Sequence, residues 1–280
     1  MRITGKNDWF RTFFASAMLM FLISGSASAE FIFTAPPRET PQQGQVLYGP
    51  MADALTQQLG VKVSYQHPGN WVNYQKMIRD DQADLFFDGP HFAAWRIDTK
   101  KAEPLVKLPG VLNFVLVSRS KDKEITATRD LVSMKICALP SPNLGTLTAY
   151  SMFPNPSQQP KFVNIKGGFK AVHKALVAGK CEGAIIRKSV YSKALDSTAR
   201  SALNVLQESD PLTNQGITVS TRIDAANTKK ISDFLASTQG KAASTKLFQR
   251  FSKGNEKFVP AKSADYKGHN LLVDNMVFGW

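Results

Sequence analysis

The sequence predicts an α/β protein with two lobes, each a mostly parallel sheet flanked by helices, and a cleft between them. Three observations carry this reading. Short apolar runs of strand length alternate with stretches whose apolar residues recur at helical spacing, so residues 31–95 read β-α-β-α-β-α. The alternation restarts at Met134, after a polar, charged segment (Arg119 to Arg129) suited to linking two units. Finally, Ala83-Asp84-Leu85-Phe86-Phe87-Asp88-Gly89-Pro90-His91-Phe92 joins a buried strand to a helix through a Gly-Pro turn. Open α/β sheets bind ligands beyond such turns, where backbone N–H groups at a helix start are unpaired.

Residues 1–29 precede the fold. Arg2, Lys6 and Arg11 form a basic stretch, Phe13 to Ile23 an apolar one, and Ala27-Ser28-Ala29 a small-residue cleavage site. These are the parts of a secretory signal peptide, with cleavage expected after Ala29. The apolar run is short for a membrane span, no later segment is a spanning candidate, and no Cys beside the cut could carry a lipid. A soluble, exported protein is expected.

Residues 30–118 form the first segment of lobe one. Phe31 to Thr34 is a strand that runs into Ala35-Pro36-Pro37-Arg38-Glu39, where the prolines exclude helix. Val46, Leu47, Met51, Ala54, Leu55 and Leu59 mark a helix that Gly60 stops. Val61 to Tyr65 alternates as a strand, and Asn70 caps a helix bearing Trp71, Tyr74, Met77 and Ile78. Leu85-Phe86-Phe87 reads as a strand buried on both faces, and the helix opened by Pro90 runs through Trp95. Val111 to Val117 is a longer strand.

Residues 119–212 form lobe two. Strands are expected over 135–139, 162–165, 182–186 and 203–206, with helices from Leu144, over 169–178 and over 189–195. Residues 213–280 return to lobe one with a strand at 216–220, helices over 225–237 and 242–251, and a helical tail near 269–278.

Net charge is +13, from 35 basic and 22 acidic residues. That excess suits anionic partners, although a solvated basic surface explains it equally well. Basic residues are spread along the chain without the dense runs or interleaved aromatics of a nucleic-acid groove, so no nucleic acid is expected. The two cysteines, Cys137 and Cys181, each lie in or beside an expected strand of an exported chain. A structural disulfide is expected if those strands are neighbours. It would contribute about 4 kcal/mol on the chain-entropy model.

Several residues are candidates for a ligand site at the cleft. Gly89 and Pro90 form the turn itself, and His91 sits at a helix N-terminus whose positive dipole end keeps imidazole neutral and able to hydrogen-bond; a solvent-exposed His is the alternative. Arg38, its backbone fixed by two prolines, suits a bidentate clamp on an oxyanion; a surface ion pair with Glu39 or Asp88 is the alternative. Tyr48 offers a hydroxyl to the cleft or half-buries on its helix. Trp71 stacks on a ligand or packs on its helix face. Asp88 reads as a helix cap. No G-x-S-x-G, H-E-x-x-H or P-loop occurs, and the four histidines contain no close pair. Catalytic residues, metals and cofactors are not expected.

Together, Ala35-Pro36-Pro37-Arg38-Glu39, Tyr48-Gly49-Pro50-Met51-Ala52, Asn70-Trp71-Val72-Asn73-Tyr74 and Asp88-Gly89-Pro90-His91-Phe92 occur in an order that resembles the phosphate/phosphite/phosphonate substrate-binding proteins of ABC transporters. Leu176-Val177-Ala178-Gly179-Lys180-Cys181-Glu182-Gly183-Ala184 is similar to that family's second-lobe helix–Gly–strand step. The resemblance covers nearly all of the chain after residue 29. It implies a two-lobed periplasmic-binding-protein-like fold (type II) that closes over a small ligand. In the family's phosphonate binders, a Pro followed by consecutive Ser and Thr residues at a helix start holds the phosphonate oxygens. The matching stretch here, Ser141 to Thr148, keeps Ser141, Asn143 and Thr146 as donors but interrupts the hydroxyl cluster with Leu144 and Gly145. Phe169 stands where a His is usual, and Glu182 where an Asp is usual.

The expected function is therefore capture of a small anion (phosphonate, phosphite, phosphate or a related oxyanion) in the periplasm by a monomer that delivers it to an ABC importer permease. The departures leave open a different oxyanion or a less charged, more aromatic ligand. Two other roles stay open: a sensing subunit that docks on a membrane signalling receptor and, from another class, a secreted enzyme on a two-lobed scaffold.

Overall fold

Strand β1 (Phe31–Thr34), helix α1 (Pro41–Leu59), β2 (Val63–Tyr65), α2 (Trp71–Arg79), β3 (Leu85–Asp88) and α3 (Pro90–Asp98) follow in the expected order. They belong to a computed structural model that describes residues 30–252 and 256–274. The expected signal peptide and residues 275–278 of the expected tail lie outside those limits. β1 pairs in parallel with β2 on one side and β3 on the other, as helical crossovers require. Helix α1 begins five residues before Val46 because Thr40 and Gln43 form a capping box and Pro41 takes the first helical position. Asn70 caps α2 through its side chain, as expected.

Strand β4 (Ala102–Lys107) had no sequence signal, because Pro104 and Glu103 break its apolar pattern. Pro104 is tolerated where the register shifts, opposite Ile217 and Thr218. The single strand expected over Val111 to Val117 is instead two: β5 (Val111–Leu112) and β6 (Phe114–Arg119) separate at Asn113 and enter different sheets. The second sheet thus begins at Phe114, and the expected linker 119–129 lies inside the second unit. The reason is burial, since Phe114 to Val117 are apolar on both faces and the middle of the second sheet covers both.

The second unit continues with β7 (Lys135–Ala138), α4 (Leu144–Ser151), β8 (Lys161–Asn164), α5 (Phe169–Val177), β9 (Gly183–Arg187), α6 (Lys188–Lys193), α7 (Ser197–Ser201) and β10 (Leu203–Glu208). The chain then forms β11 (Leu212–Thr213), β12 (Gly216–Ser220), helices α8 (Ala225–Ala236), α9 (Thr238–Ala243) and α10 (Thr245–Phe251), β13 (Val259–Pro260) and α11 (Leu271–Asp274).

Sheet one has the order β13-β4-β12-β3-β1-β2 and sheet two the order β10-β6-β9-β7-β8. Both are mixed rather than mostly parallel. β12 runs antiparallel to β3 and β4, and β6 runs antiparallel to β9 and β10. Each of these two strands enters its sheet directly from the other unit, without a crossover helix of its own. The two passages between the units, β5 and β11, pair with each other as an antiparallel ribbon.

One core packs α1, α8 and α10 on sheet one through Phe33, Leu55, Phe87, Leu235 and Phe248. Two further cores cover the faces of sheet two. Cys137 of β7 and Cys181, just before β9, are joined in a disulfide with Cα atoms 5.6 Å apart. The parallel pairing of β7 with β9 brings them together. Among the described residues no helix is long and apolar enough to cross a membrane.

Candidate functional site

The C-terminal ends of strands from both sheets converge on one cavity of about 490 Å³. From sheet one come Pro37 and Arg38, after β1, and Gly89, His91 and Phe92, after β3. From sheet two come Leu139 to Leu144 (without Ser141), after β7, Ile165 to Gly167, after β8, and Arg187, ending β9. A crevice at strand C-termini is where α/β proteins hold ligands. Helices α3 and α4 begin at the cavity, and the Asn143 side chain accepts from Gly145 N at 2.9 Å. Both starts therefore present partial positive charge to whatever enters. Among the described residues the lining includes Arg38, Lys166 and Arg187 but no carboxylate.

His91 is 2 % exposed, and neither ring nitrogen meets hydrogen-bond geometry with a described group. Gly89 makes room for it, since a Cβ there would fall 2.7 Å from the imidazole. Burial, aided by the Arg38 guanidinium, lowers the His91 pKa to about 3, while the nearby Pro142 carbonyl acts in the opposite sense. At neutral pH the ring is uncharged, with one N–H to donate. Between about pH 6.5 and 3 the unfolded chain protonates this ring and the folded chain does not. Stability therefore falls as pH is lowered through that window, by up to about 1.4 kcal/mol per pH unit. Urea titrations at about pH 4.5 and 6.5 should show a shallower pH dependence for His91→Gln than for the wild type. Equal slopes would contradict a buried, neutral imidazole.

Arg38 donates from Nη1 to Gln215 Oε1 at 3.2 Å, and its guanidinium lies 5.4 Å from the centre of the Phe251 ring. Both carboxylates considered as its partners are engaged elsewhere. Glu39 pairs with Arg250 at 3.3 Å, and Asp88 with Arg96 at 2.8 Å. Asp88 is therefore not a helix cap: Gly89 occupies that position, and Asp88 closes a buried network instead. Trp71 lines the cavity and packs edge-on against Tyr74 at 6.0 Å.

Arg38, Trp71, Gly89, His91, Asn143 and Phe169 thus come together around the cavity, and five other expected residues do not line it. Tyr48 is fully buried in the first core, its hydroxyl 3.4 Å from Glu39. Pro90 is buried as the first residue of α3. Ser141 is exposed to solvent. The Thr146 hydroxyl is spent on the Leu139 carbonyl. Glu182 accepts from Lys135 N at 2.9 Å, at the end of β9 away from the cavity. Sequence reasoning missed Arg187, Lys166, Phe114 and Gln215. Arg187 had a usable signal, because it ends a strand that feeds a helix, as Asp88 does. Among the described residues no cluster of three or more His, Cys, Asp or Glu could hold a metal.

The family model for "ABC transporter, phosphonate, periplasmic substrate-binding protein" matches residues 33–266. Comparison with curated protein sequences gives no match. Among solved structures, PhnD1 from Prochlorococcus marinus (MIT 9301) in complex with methylphosphonate aligns with a TM-score of 0.61 at 16% identity, covering 87% of this chain and 96% of that one. XAC2383 from Xanthomonas citri bound to ATP aligns with a TM-score of 0.66 at 10% identity, covering 88% and 100%. A binding-protein component of an ABC phosphonate transporter from Pseudomonas aeruginosa aligns with a TM-score of 0.57 at 15% identity, covering 85% and 83%. At such identities the likeness establishes the two-lobed fold alone.

Proposed function

The chain belongs to the phosphonate-type periplasmic substrate-binding proteins of ABC transporters, and from that premise we propose that its cavity captures a small phosphonate or related oxyanion between two lobes. The family is a ligand-binding component of a transporter and not an enzyme. One observation carries the reading for this chain: a buried His91, neither of whose ring nitrogens meets hydrogen-bond geometry with a described group, and the Arg38 guanidinium line one cavity with the start of α4, and no described residue of that lining is a carboxylate. An anion there would accept from the neutral imidazole, the guanidinium and the α4 backbone together. Asn143 and the aromatic faces of Trp71 and Phe169 would hold the rest of the molecule.

In this reading residues 30–110, 214–252 and 256–274 form one lobe, residues 114–211 the other, and the β5–β11 ribbon is the hinge. A ligand touching both lobes favours the closed state by its differential affinity for that state. The closed monomer then docks on a permease. Residues 1–29 direct export and are then removed after Ala29.

A thermal-shift panel of phosphate, phosphite, methylphosphonate, phenylphosphonate and sulfate on ligand-stripped protein tests the reading. A true ligand at about 100 times its Kd should raise Tm by roughly 5–10 °C. No rise with any phosphorus oxyanion would contradict it.

A further inference from the structure

Arg187 ends β9 and lines the cavity, opposite Phe114 in the β6–β9 register. Its guanidinium makes no hydrogen bond or ion pair among the described residues. It is half-buried, and burial lowers its pKa from the ordinary value. It also stands at the N-terminus of α6, where the helix dipole disfavours a cation, and Lys188 beside it already takes the nearby carboxylate, Glu208. A partly desolvated guanidinium with no counter-charge costs stability unless something completes it.

Arg38 and Arg187 come from different sheets, and the cavity they share also has a large apolar lining: Trp71, Phe92, Leu112, Phe114 and Phe169. At about 490 Å³ the cavity also exceeds what a one-carbon phosphonate needs. We propose that Arg187 is a second anion-recognition point, and that the ligand carries two anionic groups at the ends of an apolar body, as a carboxyalkyl phosphonate does. This deepens the proposed phosphonate capture and rests on it. The phosphonate sits at Arg38, His91 and the α3 and α4 starts, and the second anion sits at Arg187. A ligand with a cationic far end is disfavoured, because no described residue of the lining is a carboxylate that could receive it.

Calorimetric titration with three probes of similar length separates the terms: 2-carboxyethylphosphonate, propylphosphonate and 3-aminopropylphosphonate, each on the wild type, Arg187→Gln and Arg187→Glu. The wild type should bind the carboxy probe at least tenfold more tightly than the propyl probe, and the amino probe at least tenfold more weakly. Arg187→Gln should erase the carboxy preference while leaving propylphosphonate within about threefold, and Arg187→Glu should reverse the order. A carboxy preference unchanged in Arg187→Gln overturns the proposal. So does an equal loss of all three probes, which would place Arg187 on the phosphonate itself. If the wild type binds no phosphonate, the parent reading fails, and succinate and glutarate decide Arg187 on its own. Binding lost in Arg187→Gln then supports a two-anion site, and no binding to the wild type overturns it.

Discussion

Arg96→Ala is expected to destabilise the fold by about 3–5 kcal/mol, the usual consequence of leaving one member of a buried ion pair uncompensated. Arg96 and Asp88 both have fully buried side chains, with Nη1 2.8 Å from Oδ2. The same carboxylate oxygen accepts from the Tyr74 hydroxyl at 2.6 Å, and Arg96 Nη2 donates to the Thr218 hydroxyl. The guanidinium also lies 3.7 Å from the centre of the Phe86 ring. One side chain therefore ties α3 to α2, to the end of β3 and to β12. Truncation removes that tie, leaves Asp88 buried with a single donor and opens a cavity over Phe86. Urea unfolding of Arg96→Ala against the wild type measures the loss. A partial recovery in Arg96→Met with Asp88→Leu would identify the stranded charge as the main cost, since a buried pair is often replaceable by apolar residues. A loss below about 1 kcal/mol would show that the network is not what holds the turn.

That network explains why the Gly89–His91 turn is a fixed feature. The strand before it is anchored at Asp88 and the helix after it at Arg96, two turns along α3. His91 thereby stays under Phe92, with ring centres 4.0 Å apart, and aimed into the cavity. Gly145 plays the matching role across the cleft. A Cβ there would come within 2.8 Å of the Phe114 ring, so only glycine lets that ring lie over the start of α4.

Local patterns made most of the architecture legible. Alternating apolar runs, the Asn70 cap and the Gly-Pro turn each produced the expected element. Neighbouring strands made the Cys137–Cys181 link foreseeable, because pairing β7 with β9 leaves the two sulfurs within bonding reach. What was not legible depends on long-range partners. β4 forms in spite of Pro104 because β12 and β13 flank it, and an otherwise apolar run divides at Asn113 because its two halves belong to different sheets. The same limit shaped the site. Arg38, Trp71, Gly89 and His91 follow from strand ends and helix starts, and Asn143 and Phe169 from the family resemblance. Tyr48 and Thr146 carry suitable hydroxyls, but their neighbours Glu39 and Leu139 take them. Glu182 matched a family position in sequence yet lies at the wrong end of its strand, and the cavity end of that strand carries a cation, Arg187.

The second large effect belongs to Arg38. It acts on His91 through its charge and has no carboxylate partner among the described residues, so an anion in the cleft is its natural counter-charge. Removing one partner of a partly buried, charge-assisted contact costs about 2 kcal/mol or more, roughly 30-fold in affinity. Trp71 on the same wall supplies an optical reporter. The direct test is a fluorescence titration of ligand-stripped protein with methylphosphonate, phenylphosphonate and 2-carboxyethylphosphonate, run on the wild type, Arg38→Ala and Trp71→Phe. At least one probe should give a saturable change in the wild type, at least about 30-fold weaker in Arg38→Ala and optically silent in Trp71→Phe. Saturable binding of equal affinity in the wild type and Arg38→Ala, with a signal that survives Trp71→Phe, would place the ligand outside this cleft and contradict the account.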